Sequence, residues 1–419
     1  MRGGRRHRGD PPTDEPARPG RRGGRLDGPF SRQSDGTALL LDPHRHSTAR
    51  ACASSLVRAT AFDGIDGPTP TAADCTLRRV TSASSSGRRA LVTGGAGFIG
   101  SHLSELLLED GWEVFALDDF STGALENVAH LRDRSDFHLV VDSVLSPSVV
   151  SELVYKCDVV YHLAAAVGVR LIVEQPVHTM VTNVQGTELV LGYCSSFGKR
   201  VLVASSSEVY GDHREERPLA EEDRRIYGPT TEKRWLYADS KAMDEHLALS
   251  HHLERSLDVV VVRLFNTVGP RQRGQYGMVI PRFVGSALAG LPLEIHGDGN
   301  QTRSFCHVSD TIRALRGLMD AEAISGDIFN VGSTQRVSIL DLAERVRALT
   351  GSRSELTFIP YDDVYGLGIE DTLHREPAIE KIGAAIGWRP SLDLDRILSD
   401  VIEHARAAPA ESGKTAAIT

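Results

Sequence analysis

The sequence predicts an α/β fold, a doubly wound parallel sheet with a smaller C-terminal substrate-binding part, and three observations carry that expectation. Short β-rich runs recur at Leu91–Val92, Glu113–Leu117, Phe137–Val141, Val159–Leu163, Val201–Ala204 and Val259–Leu264, separated mostly by segments of helical length. Such alternation argues parallel strands joined by crossover helices. The first run leads into Thr93-Gly94-Gly95-Ala96-Gly97-Phe98-Ile99-Gly100, which opens an apolar, helix-like segment from Ser101 to Leu108, and the second run ends in acid at Asp118. Strand, glycine turn, helix and acidic strand end together form the fingerprint of a Rossmann-like dinucleotide site.

In chain order, Gly94 permits the tight turn, Gly97 lets backbone N–H groups approach a pyrophosphate, and Gly100 lets the helix pack close to the strand. Phe98 and Ile99 open that helix and belong to the same cofactor site. Asp118 stands where a carboxylate accepts the adenosine ribose hydroxyls. No arginine follows it directly to hold a 2′-phosphate, so NAD is favoured over NADP. Asp142, just past the third run, reads either as a contact to the adenine edge or as an ordinary polar strand end. Beyond about residue 265 the alternation fades into short runs at Leu293–His296 and Ile328–Val331 and helical patterns at Val308–Met319 and Ile339–Leu349. The expected organisation is a basic leader over residues 1–88, the NAD-binding part over 89–265, a substrate-binding part over 266–407 and a mobile tail over 408–419.

Charge is unevenly spread. Residues 1–89 carry 16 Arg and no Lys against 9 acidic residues, a balance of +7, which leaves −16 on the rest of a chain whose total is −9. An acidic body does not suit nucleic acid. The leader is rich in Gly, Arg, Ser and Pro with only Phe30 and Phe62 as aromatics, so it is expected to be disordered and to have no part in the chemistry. An Arg-rich targeting peptide or a basic tether is the alternative, while Asp10, Asp14 and Glu15 argue against a secretory signal. The five cysteines form no Cys-x-x-Cys pair, so a reduced, cytoplasmic protein without a structural metal is expected. No stretch is apolar for long enough to span a membrane.

Two further stretches carry chemistry. In Tyr237-Ala238-Asp239-Ser240-Lys241 the i and i+4 positions share a helix face, so phenol and ammonium can enter one cleft, and the fixed positive charge favours phenolate. In Val201-Leu202-Val203-Ala204-Ser205-Ser206-Ser207-Glu208-Val209-Tyr210-Gly211 a buried strand delivers three hydroxyls and a carboxylate to the end of the sheet where ligands bind. The charged, Pro-containing segment from Gly211 to Trp235 is long for a connection, and reads either as a lid or as a solvated insertion.

From Arg89 to about Ala408 the chain resembles the extended short-chain dehydrogenase/reductase family of NAD-dependent nucleotide-sugar epimerases, dehydratases and decarboxylases. The glycine fingerprint, His162-Leu163-Ala164-Ala165, Ser205-Ser206-Ser207-Glu208-Val209-Tyr210-Gly211, Tyr237-x-x-x-Lys241, Arg263-Leu264-Phe265-Asn266-Thr267-Val268-Gly269-Pro270-Arg271 and Gly297-Asp298-Gly299-Asn300-Gln301-Thr302-Arg303-Ser304-Phe305 carry the resemblance. It implies transient oxidation at C4 of the sugar, with Tyr237 taking the 4-hydroxyl proton, Lys241 tuning Tyr237 and holding the nicotinamide ribose, and Ser206 bridging to the same hydroxyl. It also implies Glu208 as a further catalytic residue, Ala164 at the cofactor, Asn266 and Arg303 at the nucleotide diphosphate, and Arg170 and Ser207 at the substrate. A UDP-linked substrate and a homodimer are expected on the same ground.

The later step is harder to read. The pair position of 4,6-dehydratases reads Ser207-Glu208 here, without the Asp. Glu208 and Gln301-Thr302-Arg303 resemble UDP-glucuronate decarboxylases, whereas the run from His162 to Arg170 looks more like the epimerases, and the residues around Tyr237 lack the decarboxylases' usual neighbours. UDP-sugar 4-epimerisation is the leading expectation. UDP-glucuronate decarboxylation, a dehydratase, or Glu208 acting as a base at C5 are the alternatives. A non-catalytic NAD-binding scaffold is the reading from a different class, and the presence of both Tyr237 and Lys241 argues against it.

Overall fold

The computed structural model describes residues 87–168, 172, 174–213, 215–274, 278–360 and 375–407. The expectations for the leader up to residue 86, for Arg170 and for the tail from residue 408 lie outside the described residues.

Seven strands form one parallel sheet: β1 (Arg89–Thr93), β2 (Glu113–Asp118), β3 (Phe137–Val141), β4 (Val159–His162), β5 (Arg200–Ser206), β6 (Val259–Leu264) and, later in the chain, β11 (Ile328–Val331). Their order is β11-β6-β5-β4-β1-β2-β3, with β1 between β4 and β2, so the strand order reverses at β1. All six expected runs are strands of this sheet. Side chains alternate across it, as the two-residue period of a strand requires. Val92, Ala116, Tyr161, Leu202 and Val262 face one layer, and Leu91, Leu117, Val160, Val203 and Val261 the other.

The crossovers are α1 (Phe98–Glu109), α2 (Pro147–Lys156), α3 (Pro176–Met180), α4 (Gly186–Phe197) and α5 (Trp235–Arg255). Pro at the first turn of α2 and of α3 costs nothing there, because those N–H groups have no intrahelical partner. A π-helical turn at Val181–Gln185 joins α3 to α4 without a break.

The C-terminal part contains β7 (Thr267–Val268), α6 (Val279–Ala289), β8 (Leu293–His296), β9 (Thr302–Ser304), β10 (Cys306–His307), α7 (Val308–Asp320), β12 (Arg336–Ser338), α8 (Ile339–Thr350), β13 (Leu356–Ile359), α9 (Glu380–Ile386) and α10 (Leu394–Ala407). Its own core joins Phe283, Ile295, Leu342, Val346, Ile397 and Leu398.

A single cut near residue 265 does not describe this arrangement. β11 pairs with β6 through Val261↔Ile328 to Leu264↔Val331, and Ile312, Leu315 and Leu318 of α7 share the core of α1. Residues 308–331 therefore return to the nucleotide-binding layer. There β11 is the edge strand of the large sheet, with Phe329, Asn330 and Val331 buried. At the other boundary, Arg88 stacks over the Trp112 ring at 4.2 Å, which brings it into the folded body.

In the segment 211–235 most described residues are exposed, as a solvated insertion would be, but the segment is tied to the body. Leu219 pairs with Pro377, its N–H donates to Glu376 O at 2.8 Å, and Ala378 N donates back to Leu219 O at 2.9 Å. Glu221 accepts from Asn330 N on β11 at 2.8 Å. These bonds fasten the segment along the β11 edge.

Candidate active site

The β1–α1 turn is built by contact between backbones. A Cβ on Gly97 would lie 3.0 Å from Gly94 O, and one on Gly100 only 2.0 Å from the same oxygen. Gly94 has φ +70°, and its N–H donates to Leu117 O at 2.8 Å, tying the turn to β2. Gly97 caps α1 without a side-chain hydrogen bond, so the first N–H groups of the helix are left for an anion. Asp118 accepts from Ala96 N at 2.9 Å and from Phe120 N at 2.8 Å, and burial raises its pKa. A Cβ at Gly123 would lie 2.6 Å from that carboxylate, so a second glycine makes room for the acid. Asp142 accepts from Ser143 N at 2.7 Å and from the Ser146 hydroxyl, whose bond leads in lowering its pKa. Gly94, Gly97, Gly100, Asp118, Asp142 and Ala164 all line one cavity of about 180 Å³.

A larger cavity of about 490 Å³ adjoins it, and Phe98, Ile99 and Leu163 line both. Ser206, Ser207, Glu208, Tyr237, Lys241, Asn266 and Arg303 all line the larger one. The structure thus brings the described candidates to two adjoining cavities.

On α5, Tyr237 and Lys241 lie one turn apart on the buried face. Lys241 Nζ donates to Ala204 O and to Asp244 Oδ2, both at 3.0 Å. The Ser206 hydroxyl hydrogen-bonds Tyr237. Burial is the largest influence on the phenol and raises its pKa; Lys241 pulls it down, while Glu208 and Asp244 push it up. The lysine acts in the expected direction, but burial and two carboxylates outweigh it.

The Ser206 hydroxyl also accepts from Glu208 N at 3.2 Å, capping the turn that carries Glu208 into the cavity. Arg375 grips the Glu208 carboxylate with both guanidinium nitrogens. Burial pushes this carboxyl up, but Arg375, joined by Arg234 and Arg303, wins and holds it below its usual range. Asn266 has φ +29°, unusual outside glycine, with its amide donating to Ser304 O at 2.9 Å. Arg303 Nη1 donates to Thr302 O at 2.8 Å.

The sequence reading missed three side chains. Arg375 enters from 167 residues beyond Glu208, with no motif around it to signal its place. Asp244 sits at i+3 from Lys241, a spacing that also describes any surface pair on a helix. Asn183, in the π-helical turn, accepts from Ala166 N at 2.8 Å and donates to Ser240 Oγ at 3.0 Å, locking the β4 loop to α5. Beneath the site, Thr93 Oγ1 bonds His162 Nδ1 at 2.8 Å and His162 Nε2 bonds Thr187 Oγ1 at 3.0 Å. Burial, with Lys241 adding, pushes His162 down to about 3, so it stays neutral.

The NAD dependent epimerase/dehydratase family model matches residues 90–332, which include the whole glycine cradle, Tyr237, Lys241 and Arg303. The chain belongs to that family. Among its relatives, a UDP-N-acetyl-alpha-D-glucosaminuronate decarboxylase of Bacillus cytotoxicus is 39% identical over 320 residues, covering 76% of this chain and 98% of the relative. UDP-glucuronic acid decarboxylase 1 of Xenopus tropicalis is 36% identical over 319 residues, 76% of this chain and 72% of that protein. A crystal structure of UDP-glucuronic acid 4-epimerase from Bacillus cereus, with UDP-glucuronic acid and NAD, superposes with TM-score 0.68 at 29% identity. It covers 76% of this chain and 99% of that one.

This family member is thus an NAD-dependent nucleotide-sugar enzyme. Its residues fit the dinucleotide: the glycine contacts leave no room for side chains at the helix N-terminus, and Asp118 is a buried acceptor in the same cavity. Among the described residues no His, Cys, Asp or Glu cluster could hold a metal, and no helix is long and apolar enough to cross a membrane.

Proposed function

We propose that this enzyme decarboxylates a UDP-linked hexuronate by way of a C4 ketone. The observation that carries the reading is the Glu208–Arg375 pair in the cavity wall. Loss of water needs a side chain that can give a proton, and epimerisation at C5 needs one that can take it. A carboxylate held low by a guanidinium is poor at both, and its neighbour is Ser207. Neither decarboxylation nor 4-epimerisation draws on Glu208 as acid or base; the excess of cations lining the cavity and the relatives' names favour the former. Once C4 is a ketone, the C6 carboxylate is that of a β-keto acid. The C5–C6 bond breaks, CO₂ leaves with the C4 ketone taking up the bond's electron pair as an enolate at O4, and a proton from solvent then enters at C5.

In this reading Tyr237 takes the proton of the 4-hydroxyl and Ser206 donates to the same oxygen, first as alcohol and then as enolate. NAD, when bound, accepts the C4 hydride and later returns it. Lys241 holds the nicotinamide ribose, while Asn266 and Arg303 bind the diphosphate. Among the described residues Glu208 is the one carboxylate lining the larger cavity, against Lys233, Arg234, Lys241, Arg282, Arg303 and Arg375. That excess of cations suits a substrate bearing both a diphosphate and a carboxylate.

Two of the relatives' names also support decarboxylation. The 4-epimerase reading rests on the His162–Arg170 run and on the likeness to UDP-glucuronic acid 4-epimerase. Incubation with UDP-glucuronate and UDP-N-acetylglucosaminuronate, with UDP-glucose as the uncharged-sugar control, separates the two by proton NMR and CO₂ trapping. Release of CO₂ with a UDP-pentose product is expected. A uronate inverted at C4 with its carboxylate intact would overturn decarboxylation in favour of epimerisation.

A further inference from the structure

Lys241 is a buried ammonium, 3% exposed, and Asp244, which accepts from it at 3.0 Å, is 0% exposed. Burial disfavours any ammonium, so a lysine this deep stays charged only if an anion compensates it. The charged and titratable groups around it sit on several elements. On α5, Lys241 faces Tyr237, Asp244 and Glu245, and on β4 it faces neutral His162. Glu208, beyond β5, faces Tyr237 and is gripped by Arg375. Glu245 is committed elsewhere: it takes both arms of Arg263 at 2.8 Å and the Ser205 hydroxyl at 2.6 Å. The other acceptor of Lys241 is the uncharged Ala204 carbonyl. Asp244, whose pKa burial raises while Lys241 and Thr187 of α4 pull it down, is left as the carboxylate hydrogen-bonded to Lys241.

We propose that Asp244 is the counter-ion that holds buried Lys241 in its charged form, a positioning residue acting on the Tyr237–Lys241 pair through Lys241 and not through substrate. The link to turnover rests on the catalytic reading of that pair; the charge state of Lys241 does not. Removing a neighbouring anion lowers the pKa of every group coupled to it, so the pH window of the pair moves to lower pH when Asp244 is neutralised.

The chain has six lysines, which makes carbon-13 lysine NMR of the full protein tractable, with the Lys241 ε-carbon assigned by its loss in Lys241→Arg. Wild type should keep Lys241 charged to above its ordinary pH of titration, because its burial is outweighed by Asp244, Tyr237 and Glu245. In Asp244→Asn the midpoint should fall by about one unit or more, a tenfold change in the protonated fraction at a given pH. Asp244→Glu should retain the wild-type midpoint. An unchanged Lys241 midpoint in Asp244→Asn overturns the proposal whatever the substrate proves to be.

If Asp244→Asn is too unstable to titrate, the neutral pair Lys241→Met/Asp244→Asn must recover the folded state by circular dichroism. Failure to recover would equally overturn it. On the hexuronate substrate, the alkaline limb of the kcat profile in Asp244→Asn should move to lower pH, whereas a merely structural defect would lower the rate without moving the limb.

Discussion

Replacing Arg375 with Met tests the ion pair on which the functional reading stands. In the wild type the Glu208 side chain is 32% exposed and that of Arg375 is 7% exposed. Stripping a partner from a fully buried pair costs about 3–5 kcal/mol, because the remaining charge is left without compensation. Glu208 keeps some contact with solvent and the fields of Arg234 and Arg303, so the expected loss at neutral pH is smaller, about 1–3 kcal/mol. The pH dependence carries the sharper test. A carboxyl whose folded pKa is depressed contributes stability above its unfolded value of about 4.3, and that contribution is lost as pH falls through the folded value. The deficit of Arg375→Met should therefore be full at pH 7 and shrink as pH drops into the carboxylate range. Urea unfolding at neutral pH and near pH 4 measures both, and turnover of the hexuronate should fall by two orders of magnitude or more. A deficit that is absent, or identical at the two pH values, would refute the pairing and with it the argument against acid–base use of Glu208.

The other outcomes follow from single contacts. Tyr237→Phe should abolish turnover while thermal shifts with NAD and UDP persist; a near-normal rate would remove the phenol from the chemistry. Glu208→Gln, checked by product NMR and CO₂ trapping, should slow turnover without stopping it, because no proton passes through that carboxylate; a collapse would put Glu208 in the chemistry. Gly100→Ala puts a methyl 2.0 Å from Gly94 O, so the turn must move. Loss of the NAD-induced thermal shift is expected, with destabilisation of about 3 kcal/mol, at the upper end of overpacking costs.

The strands and the cofactor turn were legible because their signals are local. Apolar runs at β1, β4 and β6 have no stable state other than burial, and glycines at 94, 97 and 100 permit an approach that any Cβ would block. Ser206, Tyr237 and Lys241 were legible for a related reason, since a strand end and a helix face each present side chains at a known period. Less was legible where one residue depends on a distant one. Arg375 reaches Glu208 across 167 residues, and the Leu219–Pro377 pairing that fastens the segment beside it has no periodicity to betray it. The division between the two parts failed similarly, because β11 looks like any short apolar run until β6 offers it an edge.

The sequence by itself determined that this chain forms a dinucleotide-binding sheet with a tyrosine and a lysine on one helix face, because backbone sterics and side-chain periodicity act over a few residues. Tertiary structure alone decided the charge states: Glu208 is held ionised by Arg375, Tyr237 lies above its ordinary pKa despite Lys241, and Lys241 shares its seat with Asp244. Protonation is set by burial and by charges a few ångströms away, and neither distance nor burial can be read along a chain before it folds.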